Sequence, residues 1–220
     1  IQKYVPLSLI QNALDGACGN GQYAHLIAML APQARVKGVD LIEGKNWSGF
    51  AMPNITFSQM DLCDLSEKNE EDFIVSIDTI EHIVHNENVL QKFFEALRPG
   101  GVLYLAVPCE GDNWRFFPRS WFKRFHEWEE HEHIGEQRTI KELVAVLEQL
   151  GFKILLARNT FTFWGTIVWE VERLLSWGGH FSQMLNVLFM PFYKLFGLLD
   201  LYVPIGKGDN LIIAQKPDLE

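Results

Sequence analysis

The chain has 220 residues, of which 48% are hydrophobic and 13% aromatic, enough for one domain with a substantial core. Its formal net charge is −9 and it has no basic cluster, which argues against DNA or RNA as a substrate. Three widely spaced cysteines argue for a reducing compartment and against a disulfide framework. No signal peptide is visible, and because the chain starts at Ile1 without a methionine we expect further residues upstream.

The first predicted strand, over 11–14, leads into a glycine-rich turn at Asp15–Gly21 and then into a helix over 22–30. Glycines permit a sharp strand-to-helix turn and let a ligand approach the backbone closely. The N-terminus of the following helix presents free N–H groups to that ligand. The stretch therefore indicates a nucleotide-type site.

Two interpretations of this loop remain open on its own residues. The run from Gly19 to Ala24 fits G-x-G-x-x-A, and Asp40 lies about 20 residues further on, as in dinucleotide-binding folds. Asp15 favours another ligand, because a carboxylate at the loop would repel a pyrophosphate and attract a positively charged sulfonium amino acid.

The next two predicted strands both end at acidic residues. A strand over 35–40 ends at Asp40, whose carboxylate could accept hydrogen bonds from both hydroxyls of a ribose. Leu41 or Ile42 would then lie against an adenine ring. A strand over 55–60 is followed by Asp61 and Leu62.

The second half of the chain continues the alternation of strands and helices. A continuous apolar strand over 72–78 leads into the sequence Thr-Ile-Glu-His-Ile at 79–83. A helix over 88–97 ends at Arg-Pro-Gly-Gly, and strands follow over 102–107, 151–157 and 210–216. A helix over 139–150 begins with a capping box from Thr139 to Glu142.

Taken in this order, the elements resemble class I S-adenosylmethionine-dependent methyltransferases, close to methyltransferase type 11 and the ubiquinone-biosynthesis type. The resemblance rests on the loop Asp15–Gly21, Asp40, Asp61, the 80–83 sequence Ile-Glu-His-Ile and the Arg-Pro-Gly-Gly turn. Ala17 departs from it, since the family most often has glycine there. The resemblance implies an α/β fold: a Rossmann-like, mostly parallel seven-stranded sheet with helices on both faces and an antiparallel last strand, in a single domain over 1–220.

The resemblance also implies S-adenosyl-L-methionine as the cofactor and assigns residues to it. In that assignment Asp61 accepts from the adenine amino group, with Asp64 three residues on as the alternative, and Asp78 and Thr79 lie beside the methionine moiety or the acceptor. The implied cofactor-binding residues are Asp15, Gly16, Ala17, Cys18, Gly19, Gly21, Asp40, Leu41, Asp61, Leu62, Ile77, Asp78 and Thr79. The first candidate for a general base is His133, and His82 and Glu81 are the next candidates. An alternative role for Glu81 and His82 is only to organise the start of a helix.

The segment 108–135 is polar, aromatic and rich in His and Glu, and we expect it to form a lid or an acceptor pocket. Its acidic and histidine side chains could be read as metal ligands, but without cysteine the signature is weak, so no metal is predicted. These side chains are His126, Glu129, Glu130, His131, Glu132 and His133.

An apolar insert of two or three helices is predicted over 161–204, before the last strand. It contains no charged residue between Arg173 and Lys194, but polar residues in that interval argue against a membrane-spanning helix. Three uses remain: a cover over an apolar acceptor pocket, a homodimer surface, or a peripheral membrane contact. The first two rank above the third.

The sequence thus predicts a cytoplasmic enzyme, peripheral to the membrane if the insert contacts lipid, that methylates a small-molecule or lipid-like acceptor on O or N. Nucleic acid is not expected as a partner. The alternatives are an NAD(P)-dependent oxidoreductase, supported by Gly19 to Ala24 and Asp40, and a non-catalytic cofactor-binding partner subunit.

Overall fold

A mixed β-sheet forms the centre of the computed structural model, which describes residues 3–109, 116–123, 125, 127, 131, 133–136, 138–176 and 179–218. Within these residues the sheet has the order β3-β2-β1-β4-β5-β7-β6. Its strands are β1 (Asn12–Gly16), β2 (Arg35–Asp40), β3 (Ile55–Gln59), β4 (Glu71–Ile77), β5 (Leu97–Val107), β6 (Lys153–Thr160) and β7 (Asp209–Gln215). The first five strands pair in parallel, and β7 runs antiparallel to β5 and β6. The predicted fold class is confirmed.

Helices cover both faces of this sheet. They are α1 (Gln22–Leu30), α2 (Trp47–Phe50), α3 (Asn86–Ala96), α4 (Ile140–Gln149), α5 (Phe163–Ser176) and α6 (Gly179–Tyr202). One core cluster joins α3 and α4 to one face, and a second joins α1 to the other. Strand β4 is buried along nearly its whole length, as its continuous apolar run predicts.

Strand β5 begins earlier than predicted, because the Arg-Pro-Gly-Gly sequence belongs to the strand and not to a separate turn. Gly100 has a φ of 78°, and its N–H donates to the carbonyl of Lys216 at 2.9 Å. The chain following β7 thus pairs with the start of β5. The predicted capping box of α4 is present, with Glu142 accepting from the Thr139 backbone N–H at 2.8 Å.

The predicted apolar insert folds into two helices, α5 and α6, packed against each other before β7. The Asp200 carboxylate near the end of α6 accepts from the Thr162 hydroxyl at 2.6 Å and from the Gly165 N–H at 3.1 Å. These two bonds tie the end of the hairpin to its beginning. Pro191 lies inside α6.

Within the described residues, one helical stretch is long and apolar enough to cross a membrane by length and composition: Met184–Tyr202 of α6, of which 6% is buried. The sequence argument against a spanning helix concerned the interval from 173 to 194. That interval ends before the Leu- and Phe-rich residues 195–201, which raise the hydropathy of the later window.

Candidate active site

The glycine loop joins β1 to α1 through three residues with left-handed backbone. Ala17 has a φ of 65°, Gly19 of 52° and Gly21 of 91°. A side chain with a Cβ pays about 1–2 kcal/mol for this conformation. The backbone path that the family builds with glycine is therefore kept at Ala17, with strain stored in the loop. Gly21 also approaches Phe57 closely, since a Cβ there would lie 2.6 Å from the ring.

Asp15 lies at the end of β1 and is 2% exposed. Its carboxylate accepts from the Ala24 N–H in the first turn of α1 at 2.8 Å. Burial, followed by the nearby Asp40 carboxylate, raises the pKa of Asp15 to about 7, and the Ala24 bond only partly offsets this. Asp15 therefore changes its charge near neutral pH. The Cys18 thiol is affected by its own burial and, second, by the nearby Asp15 carboxylate. Together they raise the pKa of this thiol to about 12, which argues against Cys18 as a nucleophile.

Asp40 lies at the tip of β2, where the sequence places it, and its two oxygens face the loop. One oxygen accepts from the Gly19 N–H at 2.8 Å and the other from the Ile42 N–H at 3.0 Å. A carboxylate has about four acceptor positions, so two remain for a ligand. Leu41 and Ile42 are exposed beside it, at 61% and 72%. The predicted ribose site thus has an oriented acceptor and an apolar neighbour.

A tryptophan that sequence reasoning missed supports the same loop. The Trp47 indole N–H donates to the Gly19 carbonyl at 2.8 Å, and its ring stacks on Phe57 with centroids 5.3 Å apart. Phe57 also packs against Gly38, where a Cβ would lie 2.6 Å from the ring. The stacked rings of Trp47 and Phe57 therefore support the glycine loop. No spacing pattern links Trp47 to Gly19, so the sequence carries no signal for it.

Asp61 is the N-cap of a short 3-10 turn, and its carboxylate accepts from the Cys63 N–H at 2.8 Å. It is exposed, whereas Leu62 beside it is buried. Asp64, the other candidate, is also exposed. Asp61 follows β3, two strands away from β1, at the same carboxyl edge of the sheet as Asp40.

The residues after β4 leave the sheet through a strained turn. Asp78 has a φ of 51°, and burial raises the pKa of its carboxyl while His82 lowers it. The Thr79 hydroxyl donates to the Ile77 carbonyl at 3.1 Å. The same hydroxyl lies 3.5 Å from the Gly16 carbonyl, so these residues meet where β1 and β4 end.

A cavity of about 750 Å³ opens beside this turn. Strand ends form one wall, with Ile77 from β4 and Tyr104 and Ala106 from β5, and the insert helices form the opposite wall. The insert contributes Gly165, Thr166, Val168, Trp169, Glu170, Arg173, Tyr193, Gly197, Asp200 and Leu201. The two helices therefore cover a pocket, one of the uses that the sequence left open.

All three candidate catalytic residues line this cavity. The ligand atoms of Glu81, His82 and His133 lie within 4.8 Å of one another. The His82 and His133 rings meet edge to face with centroids 5.0 Å apart. Glu81 is 1% exposed, and burial raises the pKa of its carboxyl to about 8.

Backbone contacts hold the two halves of this trio together. The Gly135 N–H donates to the Glu81 carbonyl at 2.8 Å, and a Cβ at Gly135 would lie 2.6–2.8 Å from three carbonyl oxygens of the 80–83 turn. Arg138 donates to the Asn86 side chain at 2.6 Å, and the Asn86 amide donates to the Ile80 carbonyl at 3.2 Å. Glycine at 135 is thus required for the close approach that brings His133 to Glu81.

The cavity lining carries more acidic than basic side chains. Among the described lining residues the acids are Asp78, Glu81, Glu170, Asp200 and Asp209, and the permanently charged base is Arg173. Arg173 lies over the rings of Phe125 and Trp169, at 4.8 and 5.2 Å from their centroids. Glu170 is 1% exposed and accepts from the N–H groups of Phe116 and Phe117 at 2.9 and 3.1 Å. Sequence reasoning named none of these acids except Asp78 and Glu81.

Only part of the histidine- and glutamate-rich run 126–133 belongs to the residues that the structure describes. His126, Glu129, Glu130 and Glu132 lie outside the described residues, as does Trp114 of the predicted aromatic wall. His131 is described and exposed.

Comparison with known proteins decides between the two interpretations of the loop. A family model described as a methyltransferase domain matches residues 7–157. The chain belongs to this methyltransferase family. Its membership and its fold confirm the recognition of a class I S-adenosylmethionine-dependent methyltransferase and favour that cofactor over a dinucleotide.

Two curated relatives of this methyltransferase carry the name trans-aconitate 2-methyltransferase. The one from Deinococcus radiodurans is 30% identical over 115 residues, which are 51% of this chain and 44% of that protein. The one from Escherichia coli is 24% identical over 96% of this chain and 85% of its own length. The chain thus spans less than half of the Deinococcus enzyme that it matches.

Solved structures share the fold at lower identity. Phosphoethanolamine N-methyltransferase 2 from Haemonchus contortus, in complex with S-adenosyl-L-methionine, has a TM-score of 0.67 at 21% identity, over 99% of this chain and 51% of that chain. A 1,6-didemethyltoxoflavin-N1-methyltransferase from Burkholderia thailandensis has a TM-score of 0.60 at 16% identity, over 94% of this chain and 71% of that chain.

The residues of the methyltransferase loop fit S-adenosylmethionine. A Cβ built at Gly19 would meet no atom within 4 Å, so the space above the loop is open to a ligand. Asp40 offers acceptor positions suited to ribose hydroxyls, and the Asp15 and Asp78 carboxyls, whose pKa values burial raises, would gain a stabilised negative charge beside a cationic methionine moiety. These are the groups that would hold the cofactor.

Proposed function

We propose that this methyltransferase methylates a small-molecule acceptor, on oxygen or nitrogen, bound in the cavity between the strand ends and the insert. The observation that carries the proposal is the position of that cavity. It begins at Ile77 and Asp78, which belong to the predicted cofactor site, and contains all three candidate catalytic side chains. S-adenosylmethionine supplies an electrophilic methyl group on its sulfonium. The chain then has to align the acceptor, which accounts for roughly 7–11 kcal/mol in favourable cases.

An oxygen or nitrogen acceptor has to lose a proton, and the trio of Glu81, His82 and His133 supplies groups able to take it. His133 is the foremost candidate, because its imidazole lines the cavity and its segment is fixed by the Gly135 bond to Glu81. Proton transfer to a positioned side chain contributes about 10²–10⁴ in rate.

The charges around the cavity favour a neutral or amine-bearing acceptor. Among the described residues that line the cavity, acidic side chains outnumber the single arginine, and this excess disfavours a polyanion. Trans-aconitate, for which the curated relatives are named, carries three carboxylates and suits this lining poorly. Aromatic rings from Trp169, Phe161 and Tyr104 favour an acceptor with an apolar or lipid-like body.

Titration calorimetry with S-adenosylhomocysteine, with NAD in parallel, tests the reaction class. We expect micromolar binding of the former and none of the latter. Binding of NAD alone would support an oxidoreductase instead. Tight S-adenosylhomocysteine binding together with no methylation across neutral, amine and phenolic acceptors would favour a non-catalytic cofactor-binding subunit.

We further propose that the outer face of α6 lies on a lipid membrane, with the enzyme itself in the cytoplasm. Val187, Leu188 and Leu195 are 70%, 68% and 52% exposed. Other residues of the same helix, Tyr193 and Gly197, line the cavity, so the lipid face and the acceptor pocket belong to one element. A helix with an exposed apolar face is suited to the interface of a bilayer.

Replacing Leu188 and Leu195 together by glutamate is expected to reduce co-sedimentation with phosphatidylcholine vesicles about tenfold, because it places two charges on the lipid face. The matched control replaces Leu9 and Met29, which are 65% and 53% exposed elsewhere on the surface. A dimer in analytical ultracentrifugation that the α6 variant dissociates, without vesicle binding, would make this face a homodimer surface instead.

A further inference from the structure

Glu81, His82 and His133 form a group with the composition of a metal site. Their ligand atoms, one carboxylate oxygen and two imidazole nitrogens, lie within 4.8 Å of one another. Glu81 Oε1 is 3.8 Å from His82 Nε2. Ligand bonds of about 2.0–2.2 Å place donors in a tetrahedral site about 3.3–3.6 Å apart. The three ligand atoms therefore lie at most about 1.5 Å further apart than one ion requires.

Glu81 is a buried carboxyl beside the two imidazoles. It is 1% exposed, and within the part of the chain that the structure describes neither of its oxygens has a hydrogen-bond partner of good geometry, although the Glu81 and Thr79 N–H groups lie near enough to lower the pKa of the carboxyl. A buried carboxyl with so few donors stays in its neutral form unless a cation or a donor stabilises the charged form. Its side chain belongs to the cavity lining, where a ligand has access.

The surrounding charge favours a cation. Asp78 and Asp209 line the same cavity, so further carboxyl groups surround the three side chains. Negative charges that disfavour a further carboxylate favour a divalent ion at the same place. The sequence argument against a metal considered the run from 126 to 133 and did not include Glu81 or His82.

We propose that Glu81, His82 and His133 bind one divalent transition-metal ion of the zinc type, with a coordination position left open toward the cavity. Two imidazoles and one carboxylate select such an ion over Mg²⁺, which prefers oxygen ligands. Three protein ligands with an open fourth position are typical of catalytic sites and not of structural ones.

The effect of this metal ion on the methyl transfer rests on the proposed function. An acceptor hydroxyl on the open position would lose its proton to water more readily, because a divalent cation stabilises the oxyanion. The ion then replaces a general base, and the acceptor class narrows to hydroxyl-bearing molecules. The two roles are alternatives for the same three side chains.

The test is a titration of the full chain, freed of metal with a chelator, with Zn²⁺ by calorimetry and with Co²⁺ by visible absorption. We expect one Zn²⁺ per chain and an intense Co²⁺ spectrum typical of tetrahedral coordination. Each of Glu81→Gln, His82→Ala and His133→Ala should raise the dissociation constant at least tenfold. His85→Ala, which removes an exposed imidazole three residues from His82, should leave it unchanged.

Binding that the three variants do not weaken, or no Zn²⁺ binding at all, would overturn the site. Circular dichroism and S-adenosylhomocysteine affinity of each variant show whether it is folded, and Glu81→Gln keeps the side-chain shape if an alanine variant is not. Zn²⁺ binding without S-adenosylhomocysteine binding would leave the metal site standing and refute the methyltransferase activity. S-adenosylhomocysteine binding without Zn²⁺ binding would refute the metal site and leave the methyltransferase activity standing.

Discussion

Replacing Asp40 by alanine is expected to weaken binding of S-adenosylhomocysteine about 100-fold while the sheet remains folded. Each hydrogen bond from a ribose hydroxyl to a carboxylate contributes about 1.5–3 kcal/mol, and the loss of two amounts to about 3 kcal/mol or more. The variant also removes the acceptor for the Gly19 and Ile42 N–H groups, which are exposed and can bind water instead. Titration calorimetry gives the affinity, and circular dichroism verifies the fold.

A matched control is Glu148→Ala, which removes an exposed carboxylate of α4 that belongs to no candidate site. It should leave the affinity within about twofold, a difference below 0.5 kcal/mol. An unchanged affinity for Asp40→Ala would remove the ribose assignment, and equal losses in both variants would indicate a general effect of charge. Asp40→Asn separates the two contributions, because the amide oxygen still accepts from Gly19 but carries no charge.

The succession of strands along the chain could be predicted because the strands are marked by local chemistry. The apolar run of β4, the acid at the end of β2 and the glycine turn after β1 are all visible in a few residues. The start of β5 could not be predicted, because it depends on bonds such as that from the Gly100 N–H to the Lys216 carbonyl, 116 positions away in the chain. Pairing at that distance leaves no local pattern.

The same distinction holds for the site. Asp15, Asp40 and Asp61 follow strands and could be placed from sequence because parallel strands end at one edge. The approach of His133 to Glu81 depends on the Gly135 N–H reaching the Glu81 carbonyl across more than fifty residues, and on Arg138 and Asn86 fixing the same turn. The resemblance suggested His133 and His82 separately; their contact follows only from the folded chain.

Asp15 is expected to make S-adenosylmethionine binding strongly dependent on pH. Its pKa of about 7 means that the carboxyl is neutral below neutral pH in the free protein, chiefly because it is buried. A cationic ligand over the loop stabilises the charged form, so binding at pH 5–7 requires release of a proton. Affinity should then rise about tenfold per pH unit, or about 100-fold from pH 5 to pH 7, and level off above that.

Asp15→Asn provides the decisive comparison, because the amide oxygen can still accept from the Ala24 N–H at the start of α1. We expect its affinity to stay at the low-pH level of the parent and to lose the steep rise between pH 5 and 7. Calorimetry in two buffers of different ionisation enthalpy counts the protons released: close to one at pH 6 for the parent and fewer for the variant. Tyr23 and Asp40 face the same carboxyl and are retained in both proteins.

The stability of the free protein should show the opposite sign. A carboxyl whose pKa is raised by folding stabilises the fold fully below its unfolded value of 3.8 and loses that contribution as the pH rises through about 7. The parent should therefore lose stability to urea between pH 4 and 7 more steeply than Asp15→Asn. Rising affinity together with falling stability over the same interval identifies one buried group as the cause of both. Parallel pH profiles in parent and variant would mean that the Asp15 carboxyl only anchors α1.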